Sequence, residues 1–261
     1  MLTKLMKHEF KATYRTFLPI YIGLAAITAL ACAGAKIMHN FENPILEIAL
    51  GFGIIVFALS YIFVFLSPFI FLSLRFYRTT ATREAYLTFT VPAETRTILF
   101  AKFAVAFLWT ILTAVLWLVS FLIFLHFVTG QVDIGYFFSE SEGLGWQILS
   151  VATGFANNIM MIFTAVCLSQ LVRDHRVIAS IAFSAAIYTV QQIISVIALL
   201  PFMLRSIDII STMESGEAAV QSELMGDQLP IYLLSIGISL GMSVAMFFLS
   251  NYMCKKKLNL L

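Results

Sequence analysis

Six stretches of the 261-residue chain contain no Asp, Glu, Lys or Arg: Thr16–Ala35, Ile48–Leu74, Phe103–Val132, Gly143–Val172, Val177–Leu204 and Gln228–Cys254. A helix crosses roughly 30 Å of hydrocarbon with about 20 residues, and every one of these stretches is long enough. In lipid each backbone polar group needs a partner within the protein, so only helices and closed barrels span a bilayer. The runs lack the apolar–polar alternation of barrel strands. They predict an all-α membrane protein, one transmembrane domain over residues 1–261, with spans at about 17–35, 48–74, 103–128, 146–172, 177–200 and 229–254. Composition agrees. The chain is 61% hydrophobic and 11% charged, against about 45–50% and 25% in soluble domains.

The loops separate by sign. Residues 1–15, 75–102, 173–176 and 255–257 hold fourteen of the sixteen Lys and Arg. The alternate loops, 36–47, 129–145 and 201–228, hold only Lys36 and Arg205, together with ten of the fourteen acids. Basic loops stay in the cytoplasm, so both termini and the long loop 75–102 are expected there. A basic start, an apolar run and Ala31-Cys32-Ala33 imitate a signal peptide, but five further spans follow, and span 1 is expected to remain as an anchor. Cys32, Cys167 and Cys254 lie in or at the ends of spans and read as small apolar residues rather than a disulfide framework.

Within residues 1–16, Leu2, Met6, Phe10, Tyr14 and Phe17 share one helical face, and Lys4, Lys7, Lys11 and Arg15 share another. This predicts an amphipathic helix lying in an anionic headgroup layer; an ordinary positive flank to span 1 is the alternative. Pro68 should kink span 2. Gly237 and Gly241, with Ser235, Ser239 and Ser243, form a small-residue pattern that permits close helix packing. In loop 201–228, Ser206–Met213 and Glu217–Met225 are candidates for short helices at the outer surface.

Several chemistries have no residues to support them. The chain has no Gly-x-x-x-x-Gly-Lys-Ser/Thr phosphate loop. Ion-coupled carriers usually need ionisable groups within the membrane, and the predicted spans have none. Gly237-Ile238-Ser239-Leu240-Gly241 matches the nucleophile elbow, but that motif works on a strand-to-helix turn and this copy falls in a helix. His8-Glu9 and Asp174-His175 lack the companions of a metal site. The chain is not expected to be catalytic on its own, nor to hold a cofactor, and its charge pattern does not point to nucleic acid.

Asn157 and Asn158 in span 4 and Gln191 and Gln192 in span 5 are the notable polar residues at membrane depth. Such groups hydrogen-bond between helices or line a translocation path. All four are candidates for the path, Gln191 and Gln192 foremost.

The loop 75–102 mixes charges with aromatics. Thr82 is a possible N-cap, and Arg83–Phe89 can make about two turns before Pro92 ends them. Such a helix would present Tyr86, Leu87 and Phe89 outside the membrane, rimmed by Arg83 and Glu84, as a protein-binding surface; a helix folded back on the membrane face is the alternative.

Phe76-Tyr77, then Glu84-Ala85-Tyr86-Leu87-Thr88-Phe89-Thr90-Val91-Pro92 and Arg96, resemble the first cytoplasmic loop of bacterial ABC type-2 exporter permeases. That family carries an acidic-small-Tyr-Leu stretch followed by Thr-Leu-Pro, and Val91 stands here in place of the Leu. Lys7-His8-Glu9-Phe10-Lys11, the six spans and the Lys-rich tail are similar too. The resemblance covers the whole chain in layout and about twenty residues in motif. It implies that Arg83, Glu84, Tyr86, Leu87 and Phe89 belong to a coupling helix seated on a separate cytosolic ATPase, which would hold the ATP and Mg. It also implies a second permease copy or a paralogue, a bacterial cytoplasmic membrane, and export of an amphipathic peptide or other membrane-active cargo. An ion-coupled secondary carrier and a non-transporting membrane scaffold are the rival readings.

Overall fold

The computed structural model describes residues 2–40, 44–81, 94–129, 144–172, 175–212 and 228–256. Six helices account for nearly all of them: α1 (Leu2–Asn40), α2 (Pro44–Ala81), α3 (Thr95–Thr129), α4 (Leu144–Ser169), α5 (Arg176–Thr212) and α6 (Gln228–Lys256). All six are long and apolar enough to cross a membrane, as the charge-free runs predict. No strand occurs among the described residues.

The helices overrun the predicted spans. At about 1.5 Å per residue, the 35 residues of α3 reach about 50 Å, well beyond the hydrocarbon. The amphipathic start is continuous with the first span, α1 running without interruption from Leu2 to Asn40 with Pro19 inside it. Lys4, Lys7, Lys11 and Arg15 are exposed, as the helical wheel predicts. The packed stripe, however, is Glu9, Thr13 and Phe17, with Phe10 and Tyr14 partly open. Likewise, the candidate outer helix beginning at Ser206 continues α5 as far as Thr212; Met213 and Glu217–Met225 lie outside the described residues. Pro68 sits inside α2. It cannot donate to the carbonyl four residues back, which is that of Val64. The Ser67 hydroxyl donates to this carbonyl at 2.7 Å and so replaces the missing bond.

The chain divides into two compact units, one formed by residues 1–75 and 96–141 and the other by 76–95 and 142–261. In the first, Leu24, Phe57, Tyr61 and Val64 form a core flanked by Ile20, Ile27, Leu116, Trp117 and Phe124. Tyr61 donates its hydroxyl to the Trp117 carbonyl at 2.6 Å, and the Trp117 indole donates to the Tyr61 carbonyl at 3.2 Å. This reciprocal pair fastens α2 to α3 without leaving a polar group in lipid. Contacts from α1 to α3 keep a near-constant sequence separation of 92 to 96: Tyr21–Thr113, Glu9–Lys102 and Thr13–Trp109. Residues that advance together belong to parallel helices. Against α2 the order reverses, with Glu9 beside Arg75 and Leu24 beside Tyr61, so α1 and α2 are antiparallel.

In the second unit α4 is the central strut. Ile159, Met160 and Phe163–Cys167 of α4 are buried, whereas Gln191 is the only buried side chain among those described on α5, whose open apolar face suits lipid. Gln147–Tyr232, Thr164–Ser250 and Cys167–Cys254 are separated by 85, 86 and 87 residues, so α4 and α6 run parallel. Alternate helices that point the same way are what the alternation of basic and acidic loops requires. The last turns of α2 belong to this unit, and Phe76 stacks flat on Phe163, ring centres 3.8 Å apart. The side of the seam used by α6 corrects one expectation. A Cβ added at Gly237 or Gly241 meets nothing within 4 Å, so these glycines are not in the seam with α4. The buried positions are Ile236, Ser243, Met246, Ser250, Met253 and Cys254.

Candidate functional site

Ser239, the middle residue of the elbow-like motif, lies inside α6 and not on a strand-to-helix turn. Arg83, Glu84, Tyr86, Leu87 and Phe89, the candidate coupling residues, lie outside the described residues.

Of the four candidate path residues, the structure brings two together. Gln191 on α5 is buried. Its Nε2 donates to Asn157 Oδ1 on α4 at 3.2 Å and approaches Met246 Sδ on α6 at 3.6 Å. One amide thus ties three helices in mid-membrane. Gln192, about 100° further around the helix, is exposed. Asn158 turns back on its own helix and donates to the Gly154 carbonyl at 3.1 Å. Gln191→Leu is expected to lower stability in detergent by about 1 kcal/mol, while Gln192→Leu should leave the melting temperature unchanged. Equal effects at the two positions would contradict the packing role of Gln191.

The best-built polar site escaped the sequence reading. The Glu9 carboxylate accepts from Arg75 Nε at 3.0 Å and Nη2 at 2.7 Å, both on Oε2, and from Lys102 Nζ at 3.1 Å on Oε1. One carboxylate therefore serves two cations from two other helices. The Lys102 side chain is 7% exposed, that of Glu9 18% and that of Arg75 30%. Charges so far from water demand compensation, and a single carboxylate between two cations supplies much of it. A sequence signal was present: Glu9 is the one acid among Lys4, Lys7, Lys11 and Arg15. Its partners, 66 and 93 residues away, have no local signature.

The cluster has a specific place in the chain. Arg75 lies near the end of α2 and Lys102 in the third turn of α3. The helix that enters the segment 82–93 and the helix that leaves it are thus both fastened to α1 through Glu9. The next two turns of α1 reinforce the grip. Trp109 is sandwiched between Phe10 and Phe17, each ring centre 4.7 Å away, and donates its indole N–H to Thr13 Oγ1 at 2.8 Å. Among the described residues, no group of three or more His, Cys, Asp or Glu is placed to hold a metal ion.

Comparison of the chain with protein families, with curated proteins and with solved structures finds no match.

Proposed function

We propose that this chain is the transmembrane subunit of an ATP-driven ABC exporter in a bacterial cytoplasmic membrane, working with a separate cytosolic ATPase and with a second permease copy or a paralogue. Its cargo would be an amphipathic peptide or another membrane-active compound. The observation that carries this reading is the grip of Glu9 on both helices that flank the segment 82–93. A partner that moves this segment would move α2, α3 and α1 together, because a charged cluster pins the three at its ends in addition to their apolar contacts. Such a mechanism needs two packed arrangements of the helices with different affinities for the ATP-bound partner. It needs no ion-binding group at mid-membrane.

The test begins with co-expression of the chain and candidate ATPases, isolation in mild detergent and an assay of ATP hydrolysis. A phosphate-loop protein that co-purifies in equal amount and hydrolyses ATP is expected. Tyr86→Asp with Leu87→Asp is expected to abolish that stimulation while leaving the melting temperature of the chain unaltered. Normal ATPase stimulation and export by this double variant would remove Arg83–Phe89 from the coupling role.

A second reading, an ion-coupled carrier, draws on the same cluster, since a partly buried carboxylate between two cations is a group that such carriers use. Export that stops when a protonophore collapses the gradient, yet survives ATP depletion, would favour the carrier. The reverse pattern favours the ABC exporter.

A further inference from the structure

We propose that Cys167, Cys254 and Met253 form a binding site for a soft monovalent cation of the copper(I) or silver(I) class. The two thiols face one another across the parallel seam of α4 and α6, with their Sγ atoms 3.5 Å apart. Both are buried. Met253, also buried, lines the same small cavity as the two cysteines, together with Thr80 and Gln170. Three sulfur-bearing side chains around one cavity are a donor set for soft cations. Magnesium and calcium select oxygen ligands, and structural zinc takes four N or S ligands. Two thiolates and a thioether satisfy an ion that accepts low coordination.

The seam holds these groups ready before an ion arrives. Thr164 and Ser250, one turn earlier on each helix, share a hydrogen bond of 2.9 Å, and Thr164 also reaches the Met246 carbonyl at 3.2 Å. The helices are thereby fixed in the register that places Cys167 opposite Cys254. An ion seated between the sulfurs spreads them toward the cavity. The balance is simple: the cation binds two thiols as thiolates, two protons leave to solvent, and no electron is transferred. The site then carries one net negative charge, and Lys255 follows directly in sequence. Affinity must rise with pH, because the ligands bind only when deprotonated.

The experiment uses the full chain in detergent under anaerobic, reducing conditions, with copper(I) delivered from a chromogenic competing chelator. One equivalent is expected to bind, with an ultraviolet thiolate-to-copper band and release of two protons. Cys32→Ser, which leaves this pair as the only thiols, should bind as the native chain does. Cys167→Ser and Cys254→Ser should each lose the band and weaken binding by about 100-fold or more. Met253→Leu, close in volume, should weaken it by about tenfold. Full-strength binding by the Cys167→Ser/Cys254→Ser variant would overturn the proposal, as would its loss in Cys32→Ser. If the serine variants do not fold, the Cys32→Ser chain decides, and failure of that folded protein to bind one equivalent overturns the assignment.

Discussion

Replacing Glu9 with Gln is expected to destabilise the chain by about 3 kcal/mol, the lower end of the usual cost of breaking a buried ion pair by removing one partner, because the cluster is only partly buried. Glutamine keeps the shape and one carbonyl acceptor but loses the negative charge, so the two cations lose the carboxylate that lies between them. Lys102 dominates the cost because its side chain is only 7% exposed; Arg75, at 30%, retains access to water. Three further variants separate this account from a loss of packing. Glu9→Asp keeps the charge but cannot reach both cations, and should give an intermediate loss. Lys102→Met in the Glu9→Gln background removes the buried charge while keeping a stem of similar length, and should recover most of the stability. Lys102→Met alone should cost less than Glu9→Gln, since Arg75 remains to balance the carboxylate. Unfolding in detergent, followed by tryptophan fluorescence, measures each variant. Raising the salt concentration should change the Glu9→Gln effect little, because a pair withdrawn from water is poorly screened. A loss below about 1 kcal/mol, typical of exposed pairs, would mean that the cluster does not hold the helices.

The spans were legible because charge is so costly in hydrocarbon that a run of about 20 apolar residues without it marks a crossing. Helix ends were less legible. Residues 75–81 contain neither Gly nor Pro, and backbone hydrogen bonding does not stop where the lipid stops, so α2 runs to Ala81. Pro68 and Pro201 lie inside helices, so proline marked no boundary there. At Pro68 the Ser67 hydroxyl satisfies the carbonyl that proline leaves open.

Pairings across the fold were not legible. Hydropathy along a chain scores one position at a time. It cannot show that Glu9 meets Arg75, or that Cys167 meets Cys254, 87 residues later. It likewise could not choose between Gln191 and Gln192, because α5 is apolar nearly all round and no face declares itself as inward. The glycine pattern of α6 misled for a related reason. Ile236, Ser243 and Ser250 recur every seven residues and form the buried stripe, whereas Gly237 and Gly241 lie on neighbouring faces, where no described residue of the same unit comes within 4 Å of an added Cβ. A small residue permits close packing but does not require it.

The other large effect is expected at Trp109, which fills the groove between α1 and α3. Phe10, Thr13 and Phe17 recur at intervals of three and four, so they form one stripe on α1. The indole of Trp109 slides between the two phenyl rings, nearly parallel to both, at interplanar angles of 10° and 12°. Its N–H reaches Thr13 Oγ1, whose own proton goes to the Glu9 or Phe10 carbonyl at 2.9 or 3.0 Å. The hydroxyl therefore donates along α1 and accepts from α3, and no polar atom of the pair is left open. Truncating a buried Trp to Ala costs about 3–5 kcal/mol in soluble proteins. In a membrane part of that figure vanishes, because lipid solvates apolar surface as well as protein does. What remains is lost packing, so Trp109→Ala should fall toward the lower end of the range. Trp109→Phe keeps one ring in the stack and loses the hydrogen bond, for about 1 kcal/mol. Thr13→Val should cost a similar amount, and the Trp109→Phe/Thr13→Val double variant should cost less than the sum, since both remove the same bond. If the two single losses add in full, the hydrogen bond contributes nothing and the stack alone joins α1 to α3 at this level. If Trp109→Ala costs no more than Trp109→Phe, the ring sandwich is not what holds α1 in place, and the grip on the loop stems rests on Glu9 alone.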